Sequence, residues 1–205
     1  MLVRCLALWA LMAPVPAHAA DVIKAFGYEW DVPHAADWKV ETVDGHEVLR
    51  QVTNPIPKNP SPRRPVHHAI ARTKAFKKVT IECEMQRVGK SMIVLYAWAD
   101  EGHYNYVHLS SDSAEKQIVH NGVFHVYGGD RVRISKAIGP GTLPTEEWIK
   151  VKIVHDGRTG RVYAEVDGKR NASLDAVDVS VTEGRVGLGS FFETGAFRNV
   201  RIMGE

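Results

Sequence analysis

An all-β chain, folded as a two-sheet antiparallel sandwich, is the fold class this sequence predicts, and three observations carry it. Short runs alternate apolar with polar residues, two-residue turn signals separate them, and no stretch keeps a helical period. Alternation sends successive side chains to opposite faces, as in a strand with one buried face. The pattern is clearest in the last third: Trp148-Ile-Lys-Val-Lys-Ile-Val, Gly160-Arg-Val-Tyr-Ala-Glu-Val, Gly184-Arg-Val-Gly-Leu-Gly-Ser and Phe197-Arg-Asn-Val-Arg-Ile. Asp167-Gly168, directly after the second, supplies the positive backbone dihedrals of a tight hairpin.

The remaining elements follow in order. Residues 26–38 mix aromatic residues with Pro33 and Asp37, an entry strand and a loop. Residues 38–51 read as two strands joined at Asp44-Gly45. A loop runs over 54–65, because Pro55, Pro57, Pro60, Pro62 and Pro65 remove the backbone donors a ladder needs. It either covers a ligand site or is a surface excursion. Strands are expected at 67–72 and at 76–86, where Val79, Ile81, Cys83 and Met85 alternate with Thr80, Glu82, Glu84 and Gln86. Residues 92–98 are apolar on both faces, which predicts a central strand with a covered outer face. Strands at 104–110, 116–120, 123–127 and 131–136 complete the series, with Asn121-Gly122 as a hairpin turn. Regular spacing of many strands indicates a sandwich, with a barrel as its structural rival.

Composition bounds the compartment and the partners. Arg4, an apolar run from Leu2 to Val15, and Ala17-His18-Ala19 form an export signal spanning residues 1–19, with cleavage after Ala19. The run is shorter than the about 20 residues of a bilayer-spanning helix. Residues 20–205 are then one exported domain, periplasmic or extracellular, with no membrane attachment. The net charge of +2 falls towards zero without Arg4, which argues against nucleic acid as partner. Cys5 leaves with the signal, so Cys83 has no intramolecular partner and reads as a small buried side chain. Asn171-Ala-Ser is a glycosylation sequon by pattern only.

Several of these elements resemble the concanavalin A-like jelly roll of laminin-G-like domains, glucanases and the 3-keto-disaccharide hydrolase-like family. The resemblance runs from about Trp38 to Arg201 and rests on Ala71-Arg72-Thr73, Phe76, Thr80-Ile-Glu-Cys-Glu-Met-Gln and Tyr104-Asn-Tyr-Val-His-Leu. The closing Trp148 strand, the Asp167-Gly168 hairpin, Gly184-Arg-Val-Gly-Leu and Phe197-Arg-Asn-Val complete it. It implies a jelly-roll sandwich that handles carbohydrate on one sheet face, and a glycoside hydrolase-like or lyase-like activity in its enzymatic members. The chain departs from those members. Ser91-Met-Ile-Val-Leu-Tyr stands where the keto-disaccharide hydrolases carry Asn-Ser-Gly-Ile, and Glu82 and Glu84 do not form the laminarinase Glu-x-Asp-x-x-Glu strand. Gln117-Ile-Val-His120 lacks the companion strands of an alginate lyase site.

Strand parity nevertheless concentrates one chemistry. Tyr104, Tyr106 and His108 share a face, Tyr96 and Trp98 share a face of the preceding strand, and His120, His125 and Tyr127 flank the next turn. Neighbouring positions in antiparallel strands lie about 5 Å apart, so one face gathers rings that stack on sugars and imidazoles that hydrogen-bond hydroxyls. Three readings follow. In a sugar-processing enzyme, His108, His120 or His125 moves the proton with Glu84 as partner. In a binding module, Tyr96, Trp98, Tyr104, Tyr106 and Tyr127 hold the sugar. In a laminin-G-like interaction domain, the face binds protein. Imidazoles also admit a divalent metal, although no zinc-type spacing is present.

Overall fold

The computed structural model describes residues 20–112 and 120–205. The expected export signal and most of the expected 116–120 strand lie outside the described residues. Two antiparallel sheets form the fold. The front sheet has the spatial order β1 (Asp21–Ala25), β2 (Tyr28–Val32), β5 (His68–Ala71), β15 (Arg185–Gly189), β7 (Ser91–Asp100), β8 (His103–Ser110), β9 (Gly122–Tyr127) and β10 (Val132–Arg133). The back sheet runs β13 (Lys169–Arg170), β12 (Arg161–Val166), β11 (Ile149–Asp156), β6 (Lys78–Arg87), β16 (Gly195–Gly204), β4 (His46–Gln51) and β3 (Trp38–Val43), with β14 (Ala176–Val177) on β12. Two separate sheets make this a jelly-roll sandwich and exclude the barrel.

Alternation decides which residues fill the space between the sheets. Val79, Ile81, Cys83 and Met85 of β6 face inward with Val151 and Ile153 of β11, against Val94 of β7, Val107 and Leu109 of β8, and Leu188 of β15. Cys83 is fully sequestered there, and burial pushes its thiol up to about 12. Such a thiol is inert. The Asp44-Gly45 and Asp167-Gly168 turns carry positive φ at both residues (50° and 77°, 49° and 74°), the geometry of a two-residue hairpin. A third such turn, Phe26-Gly27 (58° and 77°), joins β1 to β2 and has no sequence signal in its first residue. Asn121-Gly122 is not a hairpin of this kind. Only Gly122 has positive φ, it opens β9, and the Asn121 amide is buried, donating to the Pro140 carbonyl and Ser173 Oγ.

The front sheet is covered on both faces. Its outer face carries a second apolar layer of Ile70, Ile93, Leu95, Tyr104, Tyr106, Phe124 and Val126, with Trp98 packed against it. The proline-rich segment crosses this layer. Tyr104 Oη donates to the Pro65 carbonyl, the Arg131 backbone N–H donates to the Arg63 carbonyl at 2.9 Å, and the Arg63 N–H donates to Asp130 at 2.7 Å. Burying a large apolar side chain stabilises by about 1.5–3 kcal/mol, so the layer adds to the core as well as shaping a surface.

Candidate functional site

The outer face of the front sheet brings together a row of rings. His68 and Tyr104 have centroids 5.8 Å apart, Tyr104 and Tyr106 6.1 Å, Tyr106 and His108 6.1 Å, and His108 and His120 6.4 Å. Tyr104, Tyr106 and His108 lie on this face because they are alternate residues of β8, whose odd positions Val107 and Leu109 face the core. All three are buried beneath the proline-rich segment and neighbouring rings. The two phenols therefore hold the layer together and present no ring to solvent. Burial raises the Tyr106 phenol to about 12 and that of Tyr104 further.

Four expected site residues lie elsewhere. Tyr96 and Trp98 do not share a face: the ladder slips between Leu95 and Ala97, so Tyr96 and Ala97 both turn inward while Trp98 joins the outer layer. Tyr96 is fully buried against His155, with ring centroids 4.8 Å apart. His125 pairs with Asn105 across the ladder, on the opposite side from Phe124 and Val126, where its Nδ1 lies 3.3 Å from Asp178. Tyr127 has the same parity, is exposed, and meets the His103 ring edge-on at 4.8 Å. Glu84 is on the back sheet's outer face, bound by Arg198 Nε at 2.7 Å and Asn199 Nδ2 at 3.1 Å. It cannot partner a histidine of the front sheet.

The face is open at one end, in a cleft of about 600 Å³ lined by Asp31, His68, Arg72, Trp98, Glu101 and Arg185. The neighbouring strands β2, β5, β15 and β7 supply Asp31, His68, Arg185 and Trp98, and Arg72 and Glu101 follow directly after β5 and β7. Arg185 lays its guanidinium 4.4 Å over the Trp98 ring and donates to Asp31 Oδ2 at 3.0 Å. Arg72 Nε donates to Asp31 Oδ1 at 2.7 Å. Burial works to raise the Asp31 pKa, but the hydrogen bonds from Arg72 and Arg185 outweigh it and hold the carboxylate below its usual range. Burial, reinforced by the neighbouring His67, lowers His68 to about 3, so it is a neutral imidazole. Among the described residues, His68 Nδ1 and Trp98 Nε1 are buried without a hydrogen-bond partner. Glu101 stands exposed at the rim, where crowding of its carboxyl by protein raises its pKa against the pull of Arg64.

Of the expected residues, the structure thus gathers Tyr104, Tyr106, His108 and His120, sets Trp98 at the open end, and disperses the rest. Asp31, Arg72 and Arg185 were missed because an ion-pair set drawn from three strands leaves no local motif. His68 was visible only as one polar residue in an apolar strand. Among the described residues no group of three His, Cys, Asp or Glu side chains is placed to hold a metal ion.

Searches of protein-family profiles and of curated proteins found no match. Solved structures do match. The chain is similar to the carbohydrate binding module CBM66 from Bacillus subtilis, with 13% identity over 84% of this chain and 94% of that one, at a TM-score of 0.58. It is also similar to a Bacillus subtilis protein of unknown function with a galectin-like fold, with 10% identity over 82% of this chain and 86% of that one, at a TM-score of 0.50. At such identities the likeness is one of fold alone, a two-sheet jelly roll.

Proposed function

We propose that this chain is an exported carbohydrate-binding domain that takes a saccharide in the cleft between Asp31, Trp98 and Arg185. The observation that carries this reading is the lining of that cleft. An indole, a neutral imidazole and an Arg72–Asp31–Arg185 network sit together, so donors, acceptors and an apolar edge meet a ligand that is itself polar at its rim and apolar on its ring faces. The volume of about 600 Å³ suits one or two sugar rings. The fold shared with the Bacillus module supports a sugar ligand by analogy, and the apolar Leu2–Val15 run before Ala17-His18-Ala19 supports export.

The test is a glycan array followed by calorimetry on each hit. Trp98→Ala and Arg72→Gln should each weaken binding tenfold or more, about 1.4 kcal/mol, and Tyr127→Ala should leave it unchanged. Absence of any glycan hit, or equal loss in Tyr127→Ala, would overturn the reading.

A second reading has its own support. Asp31 and Glu101 are carboxyls of one cleft whose environments push their pKa values in opposite directions, the requirement for paired base and acid. This favours turnover of the kind found in 3-keto-disaccharide hydrolase-like proteins. Oxidised and unmodified disaccharides incubated with the chain decide it by released sugar.

A further inference from the structure

At the far end of the same face from the saccharide cleft, Arg131 and His108 enclose a small polar space. The Arg131 guanidinium lies between two rings, 4.8 Å from the centroid of Phe124 and 4.3 Å from that of Phe191. Its Nη1 is 3.4 Å from Tyr106 Oη and 3.2 Å from His108 Nδ1. A guanidinium only donates, so His108 accepts at Nδ1 and carries its hydrogen on Nε2. Among the described residues, that Nε2–H is buried with no acceptor, on a side chain 2% exposed. A buried donor left unmet loses its hydration with nothing in return. His108 lines a cavity of about 60 Å³ with Arg131, His120, Asp112, Lys90 and Ser91, roughly the room of two water molecules.

The charges around the cavity favour an anion over water. Asp112 is engaged by His120 Nδ1 at 2.8 Å and faces Lys90 at 3.8 Å. Glu193, also on the lining, lays its carboxylate against Gly89. Among the described residues Arg131 forms no ion pair, its polar contacts being the neutral phenol and imidazole. A guanidinium held between aromatic rings in a partly enclosed space is a strong donor for an oxyanion. Water would satisfy the imidazole N–H and leave that charge unmatched.

We propose that this cavity binds a carboxylate group, one oxygen accepting from His108 Nε2–H and its charge facing Arg131. The site is independent of the saccharide cleft and stands whether or not a sugar binds there. The group belongs either to a small free acid or to the carboxyl of an acidic sugar reaching in from the surface.

The experiment is a side-chain NMR titration of the ¹⁵N-labelled full chain at pH 7 and constant ionic strength, with formate, glucuronate, glucose and chloride as probes. Formate should shift the His108 ring and Arg131 guanidinium signals saturably. His108→Phe, which keeps a ring and removes the donor, should abolish the response, and Arg131→Lys should weaken it tenfold or more. The same response to glucuronate assigns the group to an acidic sugar, and a response to formate alone assigns it to a free acid. Either supports the proposal. No saturable shift, an equal shift with chloride or glucose, or a full response in Arg131→Lys overturns it. Arg131→Lys keeps the question answerable if His108→Phe does not fold.

Discussion

The two sheets of this sandwich share a period and a fold, yet their outer faces are chemically opposite. The back sheet turns Glu82, Glu84, Lys150, Lys152, Glu165 and Arg201 to solvent, and they line a shallow groove. The front sheet turns Ile93, Leu95, Tyr104, Tyr106 and Phe124 outward and covers them. One face is solvated with charge, and the other is a second core with openings at its ends. Outward positions that refuse charge must be covered by chain or by ligand, and here the proline-rich segment covers the middle while the ends hold the cleft and the small cavity. The contrast identifies the working side of the molecule before any ligand is considered.

Substitution tests the contrast most strongly. Tyr106→Ala should cost about 3–5 kcal/mol, as for a large aromatic side chain lost from a core. Lys150→Ala on the back face should stay within about 0.5 kcal/mol. Chemical denaturation measures both. A small loss for Tyr106→Ala would mean that the outer layer is not a core.

Acid should separate the buried imidazoles from the paired carboxylates by pH window. Burial holds His68 to about 3, His155 to about 4, and His108 well below its usual value. The folded chain keeps them neutral while the unfolded chain protonates them near 6.5. Stability is therefore whole above that pH and falls as pH drops below it, by about 1.4 kcal/mol per pH unit per histidine until the folded pKa is reached. Asp31 and Glu84, whose folded pKa values are lowered, add their loss only below the usual carboxylate pKa of about 4. Unfolding free energies at pH 7, 6 and 5 should show the histidine slope, to which His67, also lowered by burial, adds, and His155→Leu should remove roughly a quarter to a third of it by the same arithmetic. A flat profile between pH 7 and 5 would contradict the burial of these imidazoles.

The smallest effect probes the cover itself. Tyr104→Phe removes the hydrogen bond to the Pro65 carbonyl and should cost about 1 kcal/mol, with faster amide exchange at Arg63 and Arg64. Unchanged exchange there would show that the segment is held by its other contacts.

Particular residues show what could be read in advance. The alternation of Val79, Ile81, Cys83 and Met85, and the Asp44-Gly45 and Asp167-Gly168 turns, specified strands and hairpins because those signals are local. The doubly apolar run 92–98 announced a covered outer face, and parity along β8 placed Tyr104, Tyr106 and His108 together. Parity failed where the ladder slipped, so Tyr96 was assigned to the wrong side, and it failed for His125 and Tyr127 because the pairing between strands is set by long-range contacts. The partnership of Glu84 with a histidine failed for a related reason: which sheet a strand joins is a matter of topology. The Asp31–Arg72–Arg185 network lay beyond reach, since its members are separated by up to 154 residues in sequence.

The slip at Leu95–Ala97 has an evolutionary consequence. Because Tyr96 and Ala97 both turn inward, the slip resets the alternation by one position and keeps the indole of Trp98 on the outer face; strict pleating of the same residues would swing that indole towards the interior and erase one wall of the cleft. Substitutions that straightened the bulge without changing the chain's length would be a route by which descendants of such a domain shed their ligand and kept their shape.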